Sequence, residues 1–499
     1  MLPLQPGTAP MLLCTDVAVR RSLMNQHPLS LTLVASWVLT ALLSVPADAA
    51  TAAKRAAKPA PAPACESPFT HQRPAGKQLD KVLRSHARWL EDRDSADGRR
   101  ANLCRTDLRQ LRLAGANLER INLEGASLKR ANLRTASLVQ AHLKGADLSQ
   151  AMLDDANLEG ADLRKGLLIR AHLNRVAADE AAFYGANLQG ALFREALLER
   201  AHFEDADLQL ADLSGASLLD GYFYGANLSK ANLRDADLAG SDLRRTNLRQ
   251  ANLRRTNLQG ALLDSATLDG ASLVEADLES AYLDDASLAQ ADLHEASLRG
   301  TDFRYARLTG ANLQRANLEN ANLEGANLAK ARLDSATMTM TVLYKANLSA
   351  ANLHGARLHH AVLIGARLSQ TDLQKADLTE VYAPKAHLQQ ARLAEANLEL
   401  ANLVSADLSD ADMSHTILVQ TNLQEATLRG TNLSAADLTG AQLDNADLQQ
   451  ANLRGANLSG ALGLVQAQLD QACLNEATQI PADLQRPKAC PSPQQRRKS

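Results

Sequence analysis

The feature that most constrains this chain is a period of five. In the stretch ANLQRANLENANLEGANLAKARL, positions 311 to 333, leucine returns at every fifth residue. A helix turns about 100° per residue, so leucines five apart step about 140° each time and scatter around its surface. A strand alternates faces with period two, so an odd spacing sends successive leucines to opposite sides. Neither regular element can bury this pattern, but a chain that turns a corner every five residues can. With Ala316, Asn317 and Leu318 as a short extended segment pointing in, out and in, Glu319 and Asn320 form the turn. Alanine and leucine then line a core, and the other three positions face water. One such wall cannot bury its own inner face, so stacked neighbours must complete the core.

The frame runs from Leu103 to Leu458 without an insertion, giving 72 centres, of which 63 are leucine. The exceptions are Ala178, Phe183, Phe193, Phe203, Phe223, Phe303, Met338, Ala383 and Met413. Both alanine centres follow a valine two residues earlier, Val176 and Val381. Large and small exchange places there, which roughly keeps the core volume. Phe183, Phe203 and Phe223 recur at every fourth centre and are expected to stack as an internal ladder.

Tandem ANLxx and ADLxx units resemble the pentapeptide-repeat family, whose consensus is A(D/N)LXX, over about three quarters of the chain. The resemblance implies four pentapeptides per coil. The expected fold is an all-β solenoid: a right-handed quadrilateral β-helix of about 18 coils with a short N-terminal capping helix. At ~4.8 Å per stacked coil the rod would be roughly 85 Å long. GKQLDKVLRSHARWLEDRD, from Gly76, places Leu79, Val82, Leu83, Ala87 and Leu90 on one helical face as a lid for the first coil. His86 and Trp89 are read as parts of that cap. After Leu458 the frame slips by one residue to Leu464, Leu469 and Leu474, and GLVQAQLDQACLNEATQIP resembles the family's closing segment.

The expected organisation is therefore a signal peptide (1–49), an Ala/Pro/Lys linker (50–75), a helical cap (76–100), the solenoid (101–462), a C-terminal cap (463–482) and a basic tail (483–499). Arg20 and Arg21, an apolar run from Leu29 to Val45 and ADA at 47–49 make an export signal with cleavage near Ala49. The expected compartment is the periplasm or the exterior, with no integral membrane span after cleavage. RRSLM at 20–24 weakly resembles a twin-arginine signal, with the general secretory route as the default, and Met24 offers a later start. Cysteine usage agrees: beyond Cys14, four cysteines fall in two terminal pairs, Cys65 with Cys104 and Cys473 with Cys490. The ends of a long rod cannot meet, so these two bridges are expected, each fastening a cap.

Charge narrows the partners. The chain carries a net −3, with −12 concentrated over residues 106–475. The family's best-known mechanism is mimicry of duplex DNA by an acidic rod that protects gyrase. A duplex carries one negative charge per ~1.7 Å, far more than this rod. Arginines in RDADLAGSDLRRTNLRQANLRRTNL (234–258) interrupt the acidic character further, and an exported protein does not reach gyrase. That run reads as a solvated face, so no nucleic-acid partner is expected. An enzyme is disfavoured because paired acids such as Asp154–Asp155 and Asp284–Asp285 fall at turn positions. His359 and His360 are adjacent, but no third ligand is expected at a matching repeat spacing. Neither a metal nor a cofactor is expected.

One pattern exceeds the repeat. When each pentapeptide is assigned to one of four walls, every tyrosine falls on the same one: Tyr184, Tyr222, Tyr224, Tyr282, Tyr305, Tyr344 and Tyr382. Leu262, Val342, Val362, Ile364 and Val404 take outward positions on that wall, where polar residues normally stand. Side chains one coil apart are neighbours and can simply pack on each other. The functional alternative is an exposed aromatic and aliphatic stripe of about 11 coils, which soluble monomers seldom leave uncovered. It suits a homodimer, an envelope protein partner, or a glycan stacked on the rings. The expected function is thus an exported, non-catalytic scaffold or binding protein, with a DNA mimic or a polysaccharide-acting β-helix enzyme as alternatives.

Overall fold

The computed structural model describes residues 65–94 and 96–487. The export signal, most of the linker, Cys490 and most of the basic tail lie outside the described residues, and the expected Cys473–Cys490 bridge with them. From Asn102 onward the chain forms a right-handed four-walled solenoid whose parallel bridges advance the numbering by 20, from Asn102↔Asn122 to Gln442↔Leu462. The first wall has centres at 103, 123, 143 and so on; the second, third and fourth walls start at 108, 113 and 118.

The repeat's composition follows from its hydrogen bonds. In residues 316–320 every backbone amide finds an acceptor. Ala316 N–H donates across the preceding turn to Leu313 O (3.1 Å), and Asn317 N–H donates one coil down to Ala296 O (3.0 Å). Leu318 and Asn320 donate one coil up, to Thr337 O (2.7 Å) and Thr339 O (3.0 Å). The fifth amide, Glu319 N–H, donates to Asn317 Oδ1 (3.1 Å). That Asx turn explains why Asn or Asp so often stands before the leucine, because no backbone carbonyl reaches the amide it serves. The same side chains also bond to each other between coils, as in Asn347 Nδ2 to Asn327 Oδ1 (3.1 Å). The last residue of each repeat is left-handed, as at Asn320 (φ 59°) and Gly325 (φ 64°). Each wall contributes one bridge per coil, so the solenoid is all-β although no strand of ordinary length occurs among the described residues.

Alanines and leucines of all four walls form one continuous core. Phe183, Phe203 and Phe223 stack in parallel with centroids 4.8 and 4.9 Å apart, and Phe193 meets the first two edge-on from the opposite wall. The valine–alanine exchange at 381 and 383 preserves the register but not the whole volume. An apolar cavity of about 10 Å³, hardly one water, lies among Leu378, Val381, Ala383, Leu388 and neighbouring leucines.

At the N-terminal end, α1 (Gly76–Glu91) packs Leu79, Val82 and Leu83 against the first coils. Ala87 is exposed and His86 is buried in its place. The imidazole accepts from Ala101 N–H (Nδ1, 3.1 Å) and donates to Glu119 O (Nε2, 3.0 Å), joining helix to solenoid as a neutral ring. Trp89 stacks on it at 5.6 Å. Gly98 passes so close that a Cβ would stand 2.8 Å from Trp89 N, which excludes any larger residue there. Residues 65–75, the described part of the expected linker, lie on the first coil. Thr70 pairs antiparallel with Thr106, and Cys65 is bridged to Cys104 (Cα–Cα 5.7 Å).

At the C-terminal end the register lengthens to Asn452↔Cys473 and Asn457↔Gln479, spacings of 21 and 22. A single turn, α2 (Gln466–Leu469), buries Leu469. Gln468 Nε2 donates to the carbonyls of Leu443 (2.8 Å) and Ala446 (2.9 Å), the second an acceptor that a further coil would have met.

Candidate functional site

All twelve residues of the predicted stripe stand on the first wall. Its outward column runs His202, Tyr222, Asp242, Leu262, Tyr282, Asp302, Asn322, Val342, Val362, Tyr382, Asn402 in consecutive bridges. Stacking between coils covers much of it. Tyr224 (39% exposed) and Tyr305 (53%) are open, whereas Val362 is buried at 8%. Tyr184, Tyr222, Leu262, Tyr282, Val342, Tyr344, Ile364, Tyr382 and Val404 are half-buried. The stripe divides into two patches with a charged stretch between them.

The lower patch is an aromatic stack. His202 lies between the rings of Tyr184 (4.9 Å) and Tyr222 (4.6 Å), neither tilted by more than 20°. Tyr184 Oη is 2.7 Å from His202 Nδ1, and Glu204 Oε1 approaches the same nitrogen at 3.2 Å. Burial first, and then the Glu204 carboxylate, push the Tyr184 hydroxyl up to about 12, so it stays protonated. Arg245 sits over the Tyr224 ring at 5.7 Å. His202 is the member that sequence reasoning missed, although its place one coil before Tyr222 in the same column was a usable signal.

The charged stretch holds Arg244 on Asp242 and Arg304 on Asp302, both through short two-pronged ion pairs. Asp264 and Asp284 lie between these pairs. Burial raises both carboxyls, and mutual repulsion adds to the rise of Asp264. The upper patch, Val342, Tyr344, Val362, Ile364, Tyr382, Pro384 and Val404, is apolar over four coils, with Lys345 over the Tyr344 ring at 4.7 Å.

Here the wall departs from the repeat's hydrogen-bond logic. Val342, Val362 and Tyr382 occupy the Asx position and offer no oxygen to the amide two residues on. After Tyr382 that residue is Pro384, which has no amide to satisfy. Asn402 restores the pattern, accepting from Val404 N–H at 3.1 Å.

Outside this wall, the arginines of 234–258 are spent on carboxylates. Arg234 and Arg255 share Asp235, Arg249 meets Asp269, and Arg254 meets Glu275. An open hollow of about 500 Å³ on the adjoining wall is lined by Lys230, Arg249, Asp269 and uncharged residues such as Asn247 and Gln290, with no pair of carboxylates. The expectation that His359 and His360 have no third partner is corrected. Glu380 takes the same place as His360 one coil above it, and the three donor groups fall within 4.8 Å of one another. A column one coil apart was overlooked because the third ligand is an acid rather than a histidine.

A corner every five residues and a register of twenty define a four-walled repeat solenoid with a surface of stacked side-chain columns. The sequence profile of pentapeptide repeats matches in overlapping stretches that together span 96–164, 179–220, 222–379, 385–420 and 421–478, and the chain belongs to the pentapeptide-repeat family. Two of the gaps contain the alanine centres, Ala178 and Ala383. No curated protein matches the chain significantly. Among solved structures it is similar to HetL, a pentapeptide-repeat protein involved in heterocyst differentiation regulation from the cyanobacterium Nostoc sp. strain PCC 7120. They share 34% identity over 47% of this chain and 88% of HetL, with a TM-score of 0.17. It is also similar to QnrB1, a plasmid-mediated fluoroquinolone resistance protein, at 17% identity over 36% of this chain and 92% of that one, TM-score 0.23. A thylakoid-lumen pentapeptide-repeat protein of Arabidopsis thaliana shares 36% identity over 18% of this chain and 63% of its own, TM-score 0.12. Superpositions this distant carry no functional argument.

Proposed function

We propose that this protein is an exported, non-catalytic scaffold of about 18 coils that associates with a second copy of itself through the first wall. The observation that carries this reading is the upper patch. Four consecutive coils give up the Asx hydrogen bond or present Tyr344, Ile364 and Val404 outward, where the repeat ordinarily places polar residues. Giving up a hydrogen bond of about 1 kcal/mol in each of the coils of Val342 and Val362 makes sense if apolar contact elsewhere offsets it. The wall is about 10 Å wide, from three extended residues, and about 50 Å long from Tyr184 to Val404. Two walls laid together cover roughly 500 Å² per partner, less than the ~800 Å² of a standard stable interface. Association is therefore weak, in the micromolar range or above. Export is supported by the N-terminal signal pattern and by the Cys65–Cys104 bridge, which suits an oxidising compartment. No helix among the described residues is long and apolar enough to cross a membrane.

Light scattering over a concentration series tests the proposal. Wild type is expected to move from monomer toward dimer, and a Tyr344→Asp/Ile364→Asp variant to remain monomeric with an unchanged circular dichroism spectrum. A wild-type monomer at every concentration sinks self-association, and leaves the upper patch to a different protein.

A further inference from the structure

We propose that His359, His360 and Glu380 form a binding site for a divalent first-row transition ion of the zinc or copper type. The residues close the fourth wall, at the corner just before Val362. His359 and His360 are consecutive turn residues of one coil, and Glu380 takes the place of His360 one coil above. The rings of the two histidines are 3.8 Å apart between centroids and inclined by 48°, so they converge without lying flat on each other. His360 Nδ1 is 3.5 Å from Glu380 Oε2. A tetrahedral ion at ~2.1 Å from its ligands holds them about 3.4 Å apart, so that pair already stands at bonding separation. All three donor atoms lie within 4.8 Å of one another.

The cluster stands on the regular backbone of the repeat. His360 is held in the left-handed conformation (φ 57°), and Glu380 likewise (φ 55°), so both side chains leave their corners in the same direction. The coils beneath them are locked together by His360 N–H to Thr379 O (3.2 Å) and by the Val362↔Tyr382 bridge. The scaffold therefore presents the donors without having to order a loop first. Two imidazoles and one carboxylate select zinc, copper or nickel over calcium and magnesium, which prefer all-oxygen sites. Three protein ligands leave a fourth position for water or an incoming ligand. A bound ion would link the coil of Leu358 to the coil of Leu378, near the cavity at Ala383, with Glu380 at the start of the stretch 380–384 that the family profile leaves unmatched. This inference does not depend on the proposed self-association.

The test is equilibrium dialysis of the full chain, made without a histidine tag and kept oxidised, against Zn²⁺ and separately Cu²⁺, with His359→Ala, His360→Ala and Glu380→Gln variants alongside. One equivalent is expected, held tighter for Cu²⁺ than for Zn²⁺, and weakened at least about tenfold by each substitution. All variants should keep the wild-type circular dichroism spectrum, since these side chains lie outside the core. Thermal melts should rise with added Zn²⁺ in wild type only. Absence of a stoichiometric ion, or its retention when all three residues are replaced, overturns the site. Loss in the histidine variants with full retention in Glu380→Gln overturns it as well, leaving a two-histidine surface contact.

Discussion

Residues 311–333 and residues 358–404 have the same fold and opposite surfaces. In the first stretch Asn317, Asn322 and Asn327 each accept from the amide two residues on, at 3.1 to 3.2 Å. In the second, Val362 and Tyr382 offer no such acceptor, Pro384 removes one amide outright, and the core carries a cavity beside Ala383. Yet the bridges continue through both at the same spacing of 20. Register is thus set by the inner alanine–leucine frame and the ladder between coils, while the outward Asx hydrogen bond is a local improvement that can be surrendered. The irregular stretch is where the wall is apolar and where the metal-site residues stand, so the molecule's specific features cluster where the repeat is relaxed.

The largest expected effect breaks the frame itself. Leu318→Ala in the regular stretch removes a fully buried side chain from a core with no room to collapse. A cost of about 2–5 kcal/mol is expected, read as a lower denaturant midpoint. Ala383→Gly, on the centre that is already small, should cost no more than about 1 kcal/mol, from backbone entropy. Equal costs would mean that the inner frame does not set the register. Next in size, Cys65→Ser/Cys104→Ser opens a bridge between residues 39 apart. About 2–4 kcal/mol of stabilisation should be lost, and hydrogen exchange should place the loss in residues 65–105 and not in 311–333.

A smaller effect is pH-dependent. Burial holds His86 below the ordinary histidine value of 6.5, and its Nδ1 must stay unprotonated to accept from Ala101 N–H. A base whose folded-state affinity for protons is lowered stabilises the fold fully above the unfolded value and loses that contribution as pH falls through the folded one. Amide exchange around Ala101 and Glu119 should therefore speed up as pH falls below the ordinary histidine value of 6.5 relative to exchange in the body, after correction for intrinsic rates. His86→Gln should flatten this dependence. An unchanged profile in His86→Gln would remove His86 as the pin between cap and solenoid.

Much of this was legible in the sequence, because a five-residue period states its own register. The 72 centres, the phenylalanine ladder and the Cys65–Cys104 bridge follow from counting. What counting missed depends on direction and depth. Ala87 and His86 are neighbours on one helix, and only the angle at which α1 meets the first coil decides that His86 turns inward. Exposure along the tyrosine wall depended on how far each ring leans on the next coil, which composition does not encode. The Glu380 ligand hides in the sequence because it is an acid 20 residues beyond a histidine, adjacent to it only through the coil register. The Asx turn likewise emerges only when the fifth amide of the repeat is seen to lack a backbone acceptor.

The smallest expected effect isolates that Asx bond. If the outward oxygen matters through the amide two residues on, its value at 382 must depend on what stands at 384. In the natural context Pro384 has no amide, so Tyr382→Asn should be no more stable than Tyr382→Ala, apart from whatever the new side chain gains against Asn402 one coil above. In a Pro384→Ala background the amide returns, and Asn at 382 should gain about 0.5–1.5 kcal/mol more over Ala than it does beside proline. The contact with Asn402 is present in both backgrounds and cancels in the cycle, as do lost tyrosine packing and the change in proline content. The remaining coupling reports the single hydrogen bond from residue 384 N–H to residue 382 Oδ1. A coupling near zero would mean that Asn and Asp hold this position through their contacts between coils alone. The upper patch would then have given up nothing by replacing them, and the case for a wall relaxed to meet a partner would rest on its apolar surface only.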